Sequence, residues 1–345
     1  MEISEERGAK RQGAASSAPT SIDGQLEVVS TGIFVADCVA RPVVGTPAKG
    51  RLELVDSIGL YSGGSAASTG YGLARFGIKT AVIGRIGNDG FGDFMINETK
   101  RHGAIAMLER DESAGTSSTL VTVDEDSERS FLHYIGANAN LQPSDIPLLE
   151  LKSRGAKIIH VAGYFALPGM EGIDGSPTRD MFKDARALGI QTSLDSVWDA
   201  RGRWMQLIGT VLPETDFFCP SIVEARAMLN MSDESPLEIA KALFDAGVRE
   251  VVALKMGEEG SFVMAKNGEH HTLGVARVPS VDGTGSGDAF IAGFLAACLK
   301  GLSLLEACKC GNAAGAMCVR AVGAMTGITN WSEVEQIAAT ISEVL

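Results

Sequence analysis

The most informative stretch of this chain is Asp282-Gly283-Thr284-Gly285-Ser286-Gly287-Asp288, followed directly by AFIAGFLAACL at 289–299. Its glycines at alternate positions can adopt backbone angles that other residues resist, so successive N–H groups can turn inward and form an anion-binding loop. The apolar run after the loop predicts a buried helix, whose dipole adds partial positive charge at the same place. The pattern therefore predicts a phosphate site built from main-chain amides.

The acidic residue at the end of this loop indicates the chemistry. A carboxylate at Asp288 would repel the phosphate unless it accepts a proton from the group that attacks that phosphate, which favours phosphoryl transfer to a hydroxyl. The alternative is a glycine-rich turn in which Asp288 only caps the helix. The pattern lacks the Lys-Ser/Thr pair of a Walker A loop, and it lies near the C-terminus, whereas a dinucleotide fingerprint follows a first strand.

The composition is typical of an α/β enzyme. Hydrophobic residues make up 45% of the 345 positions, and 41 glycines suit a fold with many tight turns. Lys and Arg total 30 against 43 acidic residues, and no long basic run is present, so we expect no nucleic-acid partner. The cysteines at 38, 219, 298, 308, 310 and 318 lack C-x-x-C spacing and are expected to be buried thiols in a reducing compartment.

The N-terminal segment differs from the rest of the chain. Residues 1–25 mix charges with a Gly/Ala/Ser run and contain no hydrophobic block, unlike a signal peptide or a membrane span. We expect a flexible tail there, no membrane partner and a cytoplasmic location. Residues 26–345 are predicted to form one large domain.

Strand-like and helix-like segments alternate along most of that domain. LEVVSTGIF at 26–34 predicts a first strand with Asp37 near its end, and SAASTGYGLARFG at 65–77 predicts a helix closed by glycine. KTAVIGRI at 79–86 predicts the next strand, and similar pairs recur as far as REVVALK at 249–255. The alternation indicates a central, mostly parallel sheet with helices on both faces.

Two regions, 50–64 and 117–135, depart from this alternation. In the second, TLVTV and RSFLHYI flank a charged connection, which is a hairpin signal. We expect segments at about 48–64 and 112–137 to form a small sheet that acts as a lid; the alternative is an extension of the edge of the main sheet. Because exposed edges can pair with those of a second lid, we expect a homodimer.

Two signatures resemble those of the PfkB/ribokinase family of sugar and nucleoside kinases. VDGTGSGDAFIAGFL at 281–295 resembles the second family signature, D-T-x-G-A-G-D, and SGGSAASTGYGLARFGIKTAVIGRIGNDGFG at 62–92 resembles the first. The resemblance covers nearly everything after residue 25. It implies the ribokinase-like α/β fold with a β lid and transfer of the ATP γ-phosphate to a primary alcohol. Asp288 would be the general base, and the amides of Gly285, Ser286 and Gly287 would stabilise the phosphate.

The resemblance also implies a sugar site. It points to Asp37, whose carboxylate can accept hydrogen bonds from two hydroxyls, to the pair Gly63 and Gly64, to Ser68 and to Asn138. The residue at 68 is serine, whereas the resemblance implies that many relatives carry asparagine there. The sugar hydroxyl that asparagine would bind is therefore either not contacted at this position or contacted through water.

A nucleotide site is implied by the second half of the chain. Gly257 and Gly260 would admit the ribose and adenine, together with a helix that begins near Asn312. Lys255 could reach phosphate oxygens, or it could equally be a solvated strand end.

Cation sites are implied as well. The family pattern N-x-x-E, associated with Mg²⁺, appears here as Ser221-Ile222-Val223-Glu224, and Glu224 would act through water because Mg²⁺ keeps several of its waters. The alternative is an ordinary first-turn glutamate. Some relatives bind K⁺ beside the anion-binding loop, and the corresponding positions, mainly through the backbone, are Asp282, Thr284, Cys318, Ala321 and Gly323.

These features favour an ATP-dependent kinase of a small sugar or sugar derivative. A nucleoside kinase is the alternative among enzymes, with Phe34, Tyr164, Phe165 and Trp198 as candidates for stacking on a base. A sensor that binds a sugar or nucleotide without turnover is the alternative from another class. Asp195 follows a predicted strand and receives no role.

Overall fold

The computed structural model describes residues 25–45, 47–126 and 128–344, which form two β-sheets and their covering helices. The strands are β1 (Val28–Gly32), β2 (Val35–Arg41), β3 (Ser57–Gly63), β4 (Thr80–Gly87), β5 (Ile105–Asp111), β6 (Ser118–Val123), β7 (Arg129–Tyr134), β8 (Ile158–Tyr164), β9 (Gln191–Ser196), β10 (Phe217–Phe218), β11 (Val251–Lys255), β12 (Ser261–Ala265) and β13 (His270–Leu273). The α-helices are α1 (Ser65–Arg75), α2 (Gly90–Arg101), α3 (Leu148–Ser153), α4 (Pro168–Glu171), α5 (Ser176–Ala187), α6 (Trp204–Ile208), α7 (Ile222–Leu229), α8 (Pro236–Asp245), α9 (Ser286–Leu299), α10 (Leu304–Cys318) and α11 (Trp331–Ala338). Of the tail predicted at 1–25, residues 1–24 lie outside this description.

The main sheet has the strand order β13-β12-β11-β10-β9-β8-β1-β4-β5. All neighbours from β11 to β5 pair in parallel, and only β12 and β13 pair antiparallel with their neighbours. The predicted mostly parallel sheet is confirmed. In such sheets, ligands bind beyond the carboxyl ends of the strands.

Helices cover both faces of the main sheet, as predicted. Consecutive residues of a strand face opposite layers, so Val28 belongs to the cluster that contains the α9 side chains, whereas Val29 belongs to the cluster around Phe182 of α5. Helix α9 is buried from Ala289 to Ala297, as its apolar run predicts. None of the helices in the described part of the chain is long and apolar enough to cross a membrane.

A second sheet of four strands, which we call the lid sheet, has the order β3-β2-β6-β7. The hairpin of β6 and β7 is confirmed, and it belongs to a separate sheet rather than to an edge of the main one. Strand β2, which pairs antiparallel with β3 and parallel with β6, was absent from the predicted lid segments.

The position of Asp37 therefore requires a correction. The first strand of the main sheet ends at Gly32, and Asp37 lies five residues later on β2 of the lid sheet. Gly32 has φ 141, and a side chain there would overlap the carbonyl of Ala162, so the chain leaves the main sheet at a place that only glycine tolerates. The apolar run that continues across this break hid it from the sequence pattern.

Candidate active site

The anion loop, residues 283–287, leads into α9, which begins at Ser286. Gly285 is left-handed with φ 78, and a side chain there would come within 2.6 Å of Ala324, so the turn requires glycine. The amides of Gly287 and Asp288 lie in the first helical turn, where N–H groups have no carbonyl partner within the helix. The loop thus combines main-chain donors with the positive end of the helix dipole.

The carboxylate of Asp282 holds the anion loop in place. It accepts hydrogen bonds from the amides of Thr284 (2.8 Å) and Gly323 (2.9 Å), and the guanidinium of Arg129 on β7 lies 2.8 Å away. Burial would raise the pKa of Asp282, but these donors, the two amides first, lower it below its usual value. One buried carboxylate therefore joins the anion loop, the segment after α10 and the lid sheet.

Of the five positions named for K⁺, Thr284 and Gly323 contact this carboxylate directly through their amides. The thiol of Cys318 donates to the carbonyls of Thr284 (3.3 Å) and Ala324 (2.8 Å), and so links α10 to the anion loop. Burial raises the pKa of Cys318 to about 12, so the thiol stays protonated and can donate. Ala321 lies in the same segment as Gly323, whose amide bonds to Asp282.

Asp288 lies in the first turn of α9 and is partly buried. Burial raises the pKa of its carboxyl to about 6, although Lys255 and the hydroxyls of Ser65 and Ser68 favour the ionised form. The hydroxyl of Thr69 on α1 also donates to the Asp288 carbonyl at 3.4 Å. A carboxylate with such a pKa accepts a proton near neutral pH more readily than an ordinary Asp.

The anion loop separates two cavities. Thr284, Gly285 and Asp288 line a cavity of about 430 Å³ beneath the lid sheet, which we call the lid cavity. Gly283 and Gly287 line a second cavity, of about 520 Å³, beside α10, which we call the α10 cavity. A group bound at the loop is therefore reachable from both sides.

The lid cavity contains most of the residues predicted for the sugar. Asp37, Gly63, Gly64 and Ser68 line it together with Asp288. Burial raises the pKa of Asp37 to about 6, with an opposing hydrogen bond to Thr119. A side chain at Gly63 would overlap the Asp37 carboxylate, so glycine at that position keeps Asp37 free to face the cavity.

Two predicted sugar contacts have other partners. The Asn138 side chain is 1% exposed, accepts from the Phe34 amide at 3.1 Å and donates to the Phe34 carbonyl at 3.0 Å. Asn138 does not line the lid cavity; it fixes the chain between β1 and β2. Ser68 does line the cavity, but it is 1% exposed and directs its hydroxyl towards Asp288.

The α10 cavity brings together the residues predicted for the nucleotide, namely Lys255, Gly257, Gly260 and Asn312. The predicted helix start near Asn312 is wrong, because Asn312 lies within α10, which begins at Leu304. Its amide donates to the Gly274 carbonyl at 2.9 Å and so fixes the segment after β13 that forms part of the cavity wall.

Lys255 ends strand β11 and is not a solvated strand end. Its ammonium lies 2.6 Å from the carboxylate of Asp195, at the end of β9, and beside Gly287 of the anion loop. Burial alone would lower the pKa of Lys255, but the carboxylates of Asp195, Glu224 and Asp288 more than offset this and raise it. The ammonium is therefore charged and held at the loop.

Glu224 lies in the first turn of α7, the position expected for an ordinary helix-start glutamate. Its carboxylate accepts from the Ser221 amide at 2.9 Å and from the Ser196 hydroxyl at 3.2 Å, while the Ser221 hydroxyl accepts from the Glu224 amide at 3.2 Å. Ser221 and Glu224 thus form a reciprocal cap at the start of α7. Within the described ranges, no group of three or more His, Cys, Asp or Glu side chains could enclose a metal.

The aromatic residues named for base stacking do not line the lid cavity. Phe34, Tyr164 and Phe165 are buried in the core, and Trp198 packs edge-on against Trp204. Tyr61 on β3 and Phe131 on β7 line the cavity instead.

The signature of the pfkB family carbohydrate kinases matches residues 25–331 of this chain. The chain belongs to the pfkB family of carbohydrate kinases. This chain is thus a sugar kinase of a family that uses ATP, and the two cavities on either side of the anion loop provide room for two substrates.

Individual pfkB relatives are distant. A sugar kinase from Archaeoglobus fulgidus, itself uncharacterized, is 28% identical over 258 residues, which cover 74% of this chain and 98% of that protein. The 2-dehydro-3-deoxygluconokinase of Bacillus subtilis is 26% identical over 288 residues, which cover 81% of this chain and 87% of that enzyme.

Solved structures show the ribokinase fold. A ribokinase from Arabidopsis thaliana complexed with ribose and ATP has a TM-score of 0.77 at 22% identity, over 91% of this chain and 99% of that one. A ribokinase from Giardia lamblia has a TM-score of 0.76 at 21% identity, over 90% and 99% of the two chains.

Two charged residues of this pfkB kinase site escaped the sequence analysis. Asp195 did give a signal: it lies at the end of β9, which is separated from β11 and its terminal Lys255 only by β10, and parallel strands present their carboxyl ends at the same edge of the sheet. Nothing in the sequence marks Arg129 as a site residue, since charged residues are common in and beside hairpin connections. Only the folded lid brings it to Asp282.

Proposed function

We propose that this kinase transfers the γ-phosphate of ATP to a primary hydroxyl of a small sugar or sugar derivative bound in the lid cavity. The observation that carries the proposal is the placement of the anion loop between the two cavities, with Asp288 on the lid side. ATP would occupy the α10 cavity with its terminal phosphate at the amides of Gly285 and Gly287. The predicted third donor, the Ser286 amide, instead bonds to the Gly283 carbonyl at 3.2 Å. The acceptor would approach from beneath the lid.

In this proposal Asp288 takes the proton of the attacking hydroxyl. Its pKa of about 6 leaves it mostly ionised at neutral pH. An Asp suffices although alcohols are much weaker acids, because the transition state of phosphoryl transfer is loose and the proton can leave late. The loop amides and the α9 dipole stabilise the charge on the phosphoryl group.

Lys255, oriented by Asp195, supplies a fixed positive charge beside Gly287 on the nucleotide side. Glu224 would hold Mg²⁺ through water, and bound Mg²⁺ would neutralise charge on the phosphates. Main-chain oxygens around Asp282 would serve K⁺. Asp37 would accept hydrogen bonds from acceptor hydroxyls.

The two alternatives have less support. The residues named for base stacking are buried or turned away from the cavity, which weakens the nucleoside kinase. A sensor would not need Asp288, yet Asp288 is present and faces the acceptor side of the loop.

We also propose a homodimer formed through the lid. The residues of the lid sheet whose side chains point away from the cavity include Ile58, Leu60, Leu120, Leu132 and Tyr134, all of them exposed. An apolar sheet face of this kind suits a second copy of the chain. Light scattering that gives the mass of a single chain at micromolar concentration would contradict this.

A screen for ADP release across sugars, sugar derivatives and nucleosides tests the proposed reaction. We expect acceptor-dependent ADP release with at least one sugar or sugar derivative and a phosphorylated product. ADP release that never responds to an acceptor, together with tight sugar binding, would favour the sensor.

A further inference from the structure

The face of the lid sheet that looks into the lid cavity is built in three rows of side chains. Nearest the core is a polar row, in which Asp37 pairs with Tyr61 on one side and Thr119 on the other, and Thr119 pairs with His133. The Thr119 hydroxyl and the His133 ring are 3.1 Å apart. This row can hydrogen-bond to hydroxyl groups.

The second row, two residues further along each strand, is apolar. Val39 pairs with Val121, and Val121 pairs with Phe131. Val281, next to the anion loop, also lines the cavity. Phe131 is 61% and Val281 58% exposed, so two apolar side chains at the cavity wall have no cover from the protein.

The third row, at the far end of the lid sheet, is basic. Arg129 pairs with Val123 across the hairpin, and Arg41 lies on β2 on the other side of Val123. Arg129 is held by Asp282, but in the described part of the chain no carboxylate lies within ion-pairing distance of Arg41, whose guanidinium only meets the Ser57 hydroxyl at 3.4 Å. Both arginines line the lid cavity.

The order of the rows limits what can bind. A sugar with a hydroxyl on every carbon would press some of them against the apolar row, where they find no hydrogen-bond partner, and such groups are costly to bury. A neutral sugar would also leave Arg41 without a partner. The polar and basic rows are four residues apart, roughly 13 Å along the strand, and the long side chain of Arg41 can reach back over the apolar row.

We propose that the acceptor is an anionic sugar derivative with a carboxylate or phosphate at the end remote from the phosphorylated hydroxyl, and an unhydroxylated segment between them. Its hydroxyls lie at the polar row and Asp288, its unhydroxylated segment lies at the apolar row, and its anionic group binds Arg41, with Arg129 beside it. This inference rests on the proposed kinase function. Arg41 is then a specificity residue that touches the substrate but not the reacting atoms.

The test is a comparison of kcat/KM for ADP release with four acceptors: a 2-keto-3-deoxy aldonic acid, a deoxyketohexose phosphate with an unhydroxylated carbon between its free primary hydroxyl and its phosphate, a neutral hexose and a nucleoside. We expect one of the two anionic acceptors to exceed the neutral hexose at least tenfold, and the choice between them tells carboxylate from phosphate. Arg41→Gln should reduce this ratio at least tenfold, mainly through KM of the anionic acceptor, and Arg41→Lys should restore part of it.

The control is Arg51→Gln, at an exposed arginine outside the cavity, which should keep the ratio. ATP titration of each variant verifies that it is folded. A wild-type preference for the neutral hexose or the nucleoside, or an unchanged ratio in folded Arg41→Gln, would overturn the inference and leave the kinase reaction standing. If no acceptor of any class is phosphorylated, the proposed function itself fails.

Discussion

The guanidinium of Arg129, on lid strand β7, lies 2.8 Å from the carboxylate of Asp282, which directly precedes the anion loop and lies 153 positions further along the chain. A second nitrogen of the same guanidinium bonds to the Thr284 hydroxyl. This contact ties the cover of the lid cavity to the loop proposed to bind phosphate. Removing it should affect both the reaction and the stability of the closed lid.

We predict that Arg129→Met lowers kcat and raises the proportion of ATP that is hydrolysed without acceptor phosphorylation, because a loosened lid admits water. The free energy of unfolding should fall by about 1–3 kcal/mol, since a charged hydrogen bond to a buried carboxylate is lost. Urea unfolding and product analysis measure the two effects. Arg101→Met is the matched control: its surface pair with Glu98 should matter little. If Arg129→Met and Arg101→Met showed the same ATP hydrolysis without acceptor and the same free energy of unfolding, Arg129 would not link the lid sheet to the anion loop.

The pH dependence of kcat/KM should report the raised pKa of Asp288. A base with a pKa of about 6 is protonated, and therefore inactive, at lower pH, so kcat/KM should fall as the pH drops through that value. Ser68→Ala removes a hydrogen bond that favours the ionised form, so its midpoint should move to higher pH. Ser235→Ala, at the start of the distant helix α8, should leave the midpoint in place. A Ser68→Ala midpoint equal to that of the wild type would argue against the contact with Asp288.

The buried pair of Lys255 and Asp195 gives a stability prediction. Lys255→Met leaves the Asp195 carboxylate buried without its partner, and we expect the free energy of unfolding to fall by about 3–5 kcal/mol. The double variant Lys255→Met with Asp195→Asn should recover part of that loss, because it no longer buries a lone charge. Urea denaturation of the wild type, Lys255→Met, Asp195→Asn and the double variant measures this. Strict additivity of the two single effects would mean that the pair does not interact.

Gly63 tests the position of Asp37. A side chain in Gly63→Ala would overlap the Asp37 carboxylate and displace it from the lid cavity. KM for the acceptor should rise at least tenfold, with little change in KM for ATP. Gly90→Ala, where an added side chain meets open space, is the control. Should Gly63→Ala bind the acceptor normally, Asp37 would not be a sugar ligand.

Much of the fold was predictable because its signals are local. The apolar run after Asp288 predicted the buried helix α9, and the alternation of strand-like and helix-like segments predicted the mostly parallel sheet. Strand β2 escaped because the chain crosses from one sheet to the other at Gly32 without any polar break. A single residue with a special backbone angle carried that information.

The sequence predicted the part of the site that is built from main-chain conformation better than the part that depends on which groups each side chain hydrogen-bonds. The loop glycines and Asp288 line the two cavities on either side of the anion loop. Asn138 and Asn312 have the amide side chains that ligands favour, yet main-chain groups of Phe34 and Gly274 occupy them. Whether an amide is free depends on long-range packing, which no local pattern encodes.

In the proposed reaction Asp288 accepts the proton of the attacking hydroxyl, and Asp288→Asn removes this base. The amide keeps the size of the side chain but cannot act as a base, so we predict a fall in kcat of roughly 10² to 10⁴. ATP affinity, measured by titration calorimetry, should stay nearly unchanged. A folded Asp288→Asn protein with wild-type kcat would contradict the account.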